Sequence, residues 1–202
     1  TCVNATEKAC ELAPQDAHLL SELGNLYYRQ GELGKSIEVF RKAIAIKPDY
    51  PDGHYYLALA YYRTGQIGLA IRSLEKCVTL SRDHLAAYYW LGISYYHMGK
   101  QTEAIAAFEH LLMLNPASVI ANYHLGVNHA SLGNYDQAIA NFKRVLEVCP
   151  DDHAAAYHLG MAYYNSQRVF EATRVFREAI QTDPSDYRAQ EMYEMLTEVP
   201  GV

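Results

Sequence analysis

The apolar positions of this chain fall into two alternating kinds of helical stripe. In the first, a Leu, a small residue and a Tyr stand at i, i+1 and i+4, as in ELGNLYYRQG from Glu22, YLALAYYRTG from Tyr56 and YYWLGISYYHMGK from Tyr88. Those offsets share one face of an α-helix. HLGVNHASLG from His124 and HLGMAYYNSQ from His158 repeat the stripe with His129 in place of one Tyr. The second stripe places a small residue four before a large one: Ser36 and Phe40, Ala70 and Leu74, Ala104 and Phe108, Ala138 and Phe142, Ala172 and Phe176. Gly31, Gly65, Gly99 and Gly133 separate the stripes, where a left-handed residue ends one helix and turns the chain. Gln167 holds this place in the last copy and predicts a looser corner there.

Leu23, Leu57, Leu91, Leu125 and Leu159 follow one another at intervals of 34 residues with no insertion or deletion. So strict a spacing predicts one geometry for every unit. The small residue after each Leu (Gly24, Ala58, Gly92, Gly126, Gly160) lets the backbones of the paired helices approach closely. Pro48, Pro116, Pro150 and Pro184 close the units, with Arg82 the exception. This register resembles the tetratricopeptide repeat, whose W-x2-L-G-x2-Y, A-x3-F and P signature the columns match from Ala17 to Asp186. The departures are Arg82 for Pro, His129 for Tyr, and bulky Leu111 and Val145 where the family has Ala. The resemblance implies an all-α, right-handed superhelical solenoid of helix-turn-helix units. Five full repeats are expected at 17–50, 51–84, 85–118, 119–152 and 153–186. Residues 1–16 read as a remnant second helix or N-terminal cap. Residues 187–202 read as a capping helix and tail, with Glu194 in the small-residue column rejecting a further close-packed helix.

Numbering the units so that Leu23 is position 7 sorts the aromatic residues. Position 11 faces the second helix, which assigns Tyr27, Tyr61, Tyr95 and Tyr163 to the core. Positions 5, 9 and 12 share another face, which the resemblance places along a concave groove. Position 5 reads Ser21, Tyr55, Tyr89, Tyr123 and Tyr157. Position 9 reads Asn25, Leu59, Ile93, Val127 and Met161, and position 12 reads Tyr28, Tyr62, Tyr96, Ala130 and Tyr164. Left open to solvent, such a strip marks a partner surface; the competing reading packs the rings between neighbouring first helices. Position 6 adds Trp90, His124 and His158, and the groove edge adds Arg29, Arg63 and His97. For that edge, ion pairs with Asp49, Asp52 or Asp83, or stacking on tyrosines, outweigh an exposed grip on a carboxylate or phosphate.

Composition narrows the partner. A formal charge of −6 provides no basic stripe for phosphates, so nucleic acid is not expected. No apolar run is long enough to span a membrane, so membrane insertion is not expected either. Cys2, Cys10, Cys77 and Cys149 lack CxxC spacing, and the first two lie about 12 Å apart along a helix, too far to bridge. Free thiols in a reducing, cytoplasmic setting follow, with a processed or excised segment as the alternative for a chain that begins at Thr1. Asn4-Ala5-Thr6 matches a glycosylation sequon by pattern alone. Phosphate loops, zinc motifs and nucleophile elbows are missing from the sequence, so no catalytic residue, metal or cofactor is assigned and the chain is not read as an enzyme.

The expectation is a protein-interaction scaffold that takes a peptide segment or helix of a partner. Its contact set is Asn25, Tyr55, Tyr62, Arg63, Tyr89, Trp90, Ile93, Tyr96, Tyr123, His124, Val127, Ala130, Tyr157, His158, Met161 and Tyr164. Ala130, a small residue in a tyrosine column, predicts a recess, and Ser21, Glu22 and Asn25 predict polar contacts in the first repeat. The carboxylate clamp of chaperone-binding family members maps to Ser21, Asn25, Tyr56, Ala86 and Trp90, where only Asn25 matches. The asparagine ladder of the O-GlcNAc transferase members has no counterpart in position 6. The alternatives are a self-assembling homo-oligomeric scaffold, or the substrate-recognition part of a longer enzyme.

Overall fold

The repeat becomes helix pairs in the computed structural model, which describes residues 2–198. The tail expected at 199–202 lies outside the described residues. Those residues form twelve α-helices and, among them, no strand. The helices are α1 (Cys2–Leu12), α2 (Ala17–Gln30), α3 (Leu33–Ile46), α4 (Pro51–Arg63), α5 (Ile67–Leu80), α6 (Leu85–His97), α7 (Gln101–Leu114), α8 (Val119–Ser131), α9 (Tyr135–Val148), α10 (His153–Asn165), α11 (Val169–Thr182) and α12 (Tyr187–Glu198). The chain divides into two compact units, Thr1–Lys100 and Gln101–Val202.

Capping residues start the first helices. Asp16 Oδ1 accepts the His18 and Leu19 N–H groups at 2.9 and 3.1 Å, and Asp152 Oδ1 accepts that of Ala155 at 2.9 Å. Ser118 Oγ and His84 Nδ1 do the same for Ala121 and Ala87, so each satisfies a donor that the first turn leaves without a helical partner. Where Arg82 replaces the proline, Ser81 donates to Asp83 at 2.7 Å and closes the turn instead. The corners between paired helices use Gly31, Gly65, Gly99 and Gly133 at φ of 82, 75, 69 and 76°. Gln167 adopts the same left-handed conformation at 64°. Its corner is not looser: Arg168 N–H donates to Tyr163 O at 2.9 Å, just as Asn134 N–H donates to His129 O at 2.9 Å. The backbone bonds hold the shape, and the side chain bears the conformational strain.

In the first unit, Phe40 is fully buried, and a Cβ built on Gly24 would stand 2.7 Å from its ring. In the second unit the same substitution at Gly126 or Gly160 would bring Cβ within 2.6 or 2.5 Å of Phe142 or Phe176. The absent methyl makes room for the ring. The exception explains itself: the pair α4–α5 carries Ala58 against Leu74, a larger small residue beside a smaller large one, and both are buried. Leu57, Ala60 and Phe40 centre the core in the first unit, and Leu159, Phe142, Phe176 and Val145 in the second. Val145 is fully buried, so the bulk in the family's Ala column is accommodated. The helix α12 completes the second unit by laying Met192, Tyr193 and Leu196 on this core while Glu194 stays exposed.

The position 11 column is only partly core. Tyr27 and Tyr163 are buried at 7% and 4% exposure, but Tyr61 and Tyr95 are half-buried. The hydroxyls of this column reach carboxylates whether the ring is buried or not: Tyr95 donates to Glu75 Oε1 at 2.6 Å, and Tyr27 donates to the Glu7 carboxylate. Each links a first helix to the second helix before it.

Candidate functional site

In the first unit the exposed faces of α2, α4 and α6 carry a connected set of rings. Tyr62 meets Trp90 edge-on at 4.9 Å, and Trp90 meets Tyr89 edge-on at 5.4 Å. The Trp90 indole also hydrogen-bonds the Tyr55 hydroxyl, which offsets in part the upward push of burial on that phenol. Tyr62 reaches His97 at 5.9 Å and Tyr55 reaches His84 at 4.8 Å. These aromatic pairs lock each other's orientation at little rotamer cost, which preorganises the face. Tyr96 remains 37% exposed, while Tyr55, Tyr62, Tyr89, Trp90 and Asn25 are half-buried. The same rings are therefore partly packed on one another and partly open to solvent.

Two expected contact residues of this unit are placed differently. Ile93 is buried at 8% exposure and offers almost no surface. Branching at Cβ keeps its side chain short and close to the backbone, beneath the longer Tyr89 and Tyr96 at i−4 and i+3 on the same stripe. Ser21 is buried at 3%, so it cannot supply the polar contact expected in the first repeat. Arg63 is exposed and stacks its guanidinium over Tyr28 at 4.7 Å while donating to Tyr28 O at 3.2 Å. Stacking on tyrosine is thus the arrangement at the edge; Asp52 instead lies 3.5 Å from His84 and Asp83 accepts from Ser81.

In the second unit the position 6 rings stack on the core. His158 stacks on buried Phe142 at 5.6 Å with an interplanar angle of 14°, and His124 stacks on Phe108 at 4.9 Å and 11°. Tyr56 stacks on Phe40 in the same way in the first unit, at 5.9 Å and 14°. Position 6 is therefore a stacking column against the preceding second helix. His124 and His158 act there as flat, largely apolar plates. Burial holds both imidazoles below their ordinary pKa, and Arg188 lowers His158 further against a smaller opposing pull from Asp152. Tyr123 touches His158 edge-on at 5.8 Å, and Tyr157 lies 5.7 Å from His158. Tyr123, Val127, Ala130, Tyr157 and Met161 are part-buried against the core, and Tyr164 is 36% exposed.

Sequence reasoning misses Arg188, whose guanidinium lies 4.8 Å from the centre of the Tyr157 ring. It belongs to α12, beyond the fifth repeat, where the column numbering stops. Burial pushes the Asp186 carboxyl up, but hydrogen bonds from the Arg188 side chain and the Ala189 N–H, with the Arg188 charge, hold it below the ordinary carboxylate range. A second feature without a sequence signal is a cleft of about 900 Å³ in the first unit, bounded by Glu7 and Cys10 of α1, Leu20 and Tyr27 of α2, and Lys42 and Ile46 of α3. Among the described residues no group of three His, Cys, Asp or Glu side chains is placed to hold a metal, and no helix is long and apolar enough to cross a membrane. Cys10, Cys77 and Cys149 are free thiols, and burial pushes that of Cys77 up to about 12.

Comparison with known proteins supports this architecture throughout. Profiles of the TPR repeat match residues 24–65, and profiles of the tetratricopeptide repeat match 52–84, 85–118 and 123–187. The crystal structure of YrrB, a TPR protein with an unusual peptide-binding site, aligns with a TM-score of 0.85 at 22% identity over 94% of this chain and 97% of that one. The MamA protein aligns at 0.81 and 24% identity over 94% and 99%. At those identities the likeness is one of fold. The first TPR of Spaghetti (RPAP3), bound to the HSP90 peptide SRMEEVD, aligns at 0.56 and 29% identity over 58% of this chain and 94% of that one. A search of curated proteins found no match.

Proposed function

Since the chain belongs to the tetratricopeptide repeat family, we propose that it is a non-catalytic scaffold whose first-helix faces bind a peptide segment or helix of a protein partner. The observation that carries this reading is the tyrosine strip. Tyr55, Tyr62, Tyr89 and Tyr96 in the first unit, and Tyr123, Tyr157 and Tyr164 in the second, keep part of each ring in solvent above a core that is already closed by Phe40, Phe142 and Phe176. Rings needed only for packing between helices would be covered. Large, rigid, partly wet aromatic surface with a hydroxyl is the composition that dominates binding hot spots.

YrrB and the Spaghetti TPR support peptide binding as the class of activity. The residues argue for a different ligand from SRMEEVD. Of the columns that the resemblance assigns to a carboxylate clamp, Ser21 is buried, Tyr56 is stacked on Phe40 and Trp90 is engaged with Tyr62 and Tyr89. In the second unit Ala130, part-buried against the core as Val127 and Met161 are, is the one small residue of its column, and we assign it the seat for an apolar side chain of the partner.

A display selection of random 16-residue peptides on the full chain tests the reading. Enriched peptides should lose binding when Tyr89→Ala or Tyr123→Ala is introduced, with the far-ultraviolet circular dichroism unchanged. Peptides that bind both variants as well as the parent would place the binding surface elsewhere.

A further inference from the structure

Resting on that reading, we propose that Arg63, held on Tyr28, is the receptor for an acidic side chain, Asp or Glu, within the bound segment. Three observations in the first unit converge. The first is charge: position 13 carries Arg29, Arg63 and His97 at the C-terminal ends of α2, α4 and α6, whereas the same column in the second unit is Ser131 and Asn165. The second is pairing. No ion pair among the described residues engages Arg29, Arg63 or His97, so the charge of this edge is open to a ligand. The acids nearest in sequence register are occupied by other partners, Asp52 by His84 and Asp83 by Ser81. The third is preorganisation. The Tyr28 ring beneath the guanidinium and the Tyr28 carbonyl at 3.2 Å hold the fork in one orientation, while the residue as a whole stays exposed. Part of the entropy of ordering an Arg is already lost before any ligand arrives.

Arg188 shows the contrast. It also lies against a tyrosine ring, but Asp186 takes its Nε at 3.2 Å and its Nη2 at 3.3 Å, so its charge is answered within the chain. Arg63 has the same aromatic seat and no such carboxylate. A carboxylate is the group whose geometry matches the open side of the fork. An internal acidic side chain fits better than a chain terminus, because the columns that would grip a terminal carboxylate hold a buried Ser21 and the engaged rings of Tyr56 and Trp90. The aromatic set Tyr62, Trp90 and Tyr89 begins one residue from Arg63, so the segment should place an apolar or aromatic residue close to its acid.

The test uses the strongest peptide from the selection above, synthesised with an amidated C-terminus and titrated against the full chain by fluorescence anisotropy. The expected result is an Asp or Glu at a fixed offset from an aromatic residue, with at least tenfold weaker binding for Arg63→Gln. Replacing that acid by its amide should weaken binding to the parent equally and weaken binding to Arg63→Gln no further. Arg63→Lys should retain part of the affinity and show the same fall with added salt. Peptides enriched without an acid, or an acid-to-amide change that costs Arg63→Gln as much as the parent, would overturn the assignment while Tyr89→Ala still abolished binding and kept the groove reading intact. If no peptide were enriched, or Tyr89→Ala and Tyr123→Ala were both silent, the groove reading would fall and this assignment with it.

Discussion

The two units use the same columns for different balances of packing and exposure. In the first, position 6 holds Glu22, Tyr56 and Trp90, position 12 holds Tyr28, Tyr62 and Tyr96, and the edge is basic. In the second, His124 and His158 fill position 6, Ala130 opens position 12, and the edge is neutral. Stacking on the preceding second helix is geometrically alike for Tyr56 and His158, with interplanar angles of 14° in both. The scaffold therefore accepts any flat ring in that column. What changes is the chemistry: a half-buried imidazole, unlike a phenol, gains a dependence on protons near neutral pH. Repeats that share one fold can thus be tuned one column at a time.

The comparison breaks hardest at the core. Phe142→Ala should cost about 3–5 kcal/mol, since a fully buried ring leaves a cavity that paired helices cannot close; chemical denaturation measures it. The pairing of small with large is the sharper test. Gly126→Ala should cost about 1–3 kcal/mol by forcing Cβ into Phe142. Combined with Phe142→Leu, which copies Ala58 and Leu74, it should cost clearly less than the two single changes added together. Strict additivity in that cycle would show that the first unit's exception is not compensation.

At the binding face, Tyr89→Ala in the first unit and Tyr123→Ala in the second should each cost about 2 kcal/mol of peptide affinity. Ala130→Tyr should abolish binding in the second unit by filling the seat. A tight complex with Ala130→Tyr would remove that seat while leaving the first unit's rings in play.

Acid should separate the units further. Burial lowers the folded pKa of His124 and His158, so the unfolded chain takes up their protons first. Their contribution is complete above the unfolded value of about 6.5 and is lost as pH falls below it toward the lowered folded values. Hydrogen exchange at pH 7.5 and 5.5 should show protection falling across residues 119–165 and little change across 51–63, where Tyr56 takes the stacking place. The double variant His124→Tyr, His158→Tyr should flatten the response. The smallest effect belongs to a corner: Gln167→Gly, relieving φ of 64°, should raise stability by up to about 1 kcal/mol.

Helix pairs and their period were legible because each depends on residues close in sequence and recurs in five units. Gly24, Gly126 and Gly160 announce close approach in the sequence itself, read there as backbone against backbone, whereas the structure sets the rings of Phe40, Phe142 and Phe176 against them. The site was legible only as a face. For Arg63 the sequence left an ion pair and stacking on tyrosine side by side, and the structure chose stacking. Its partner Tyr28, 35 residues away, depends on how α2 lies beside α4. Ile93 and Ser21 fall in exposed columns yet are buried, because accessibility is decided by the length of neighbouring side chains and not by helical phase.

By itself the sequence determined the all-α repeat, its register and the Leu, small-residue and Phe columns of the core, since helical periodicity and steric size are local properties that every unit states again. The tertiary structure decided which rings stay partly wet, that His124 and His158 lie half-buried as plates against Phe108 and Phe142, and that Arg63 is seated on Tyr28. Those properties belong to surfaces made by two or three helices together. Their desolvation and charge pairing exist only once the helices have met.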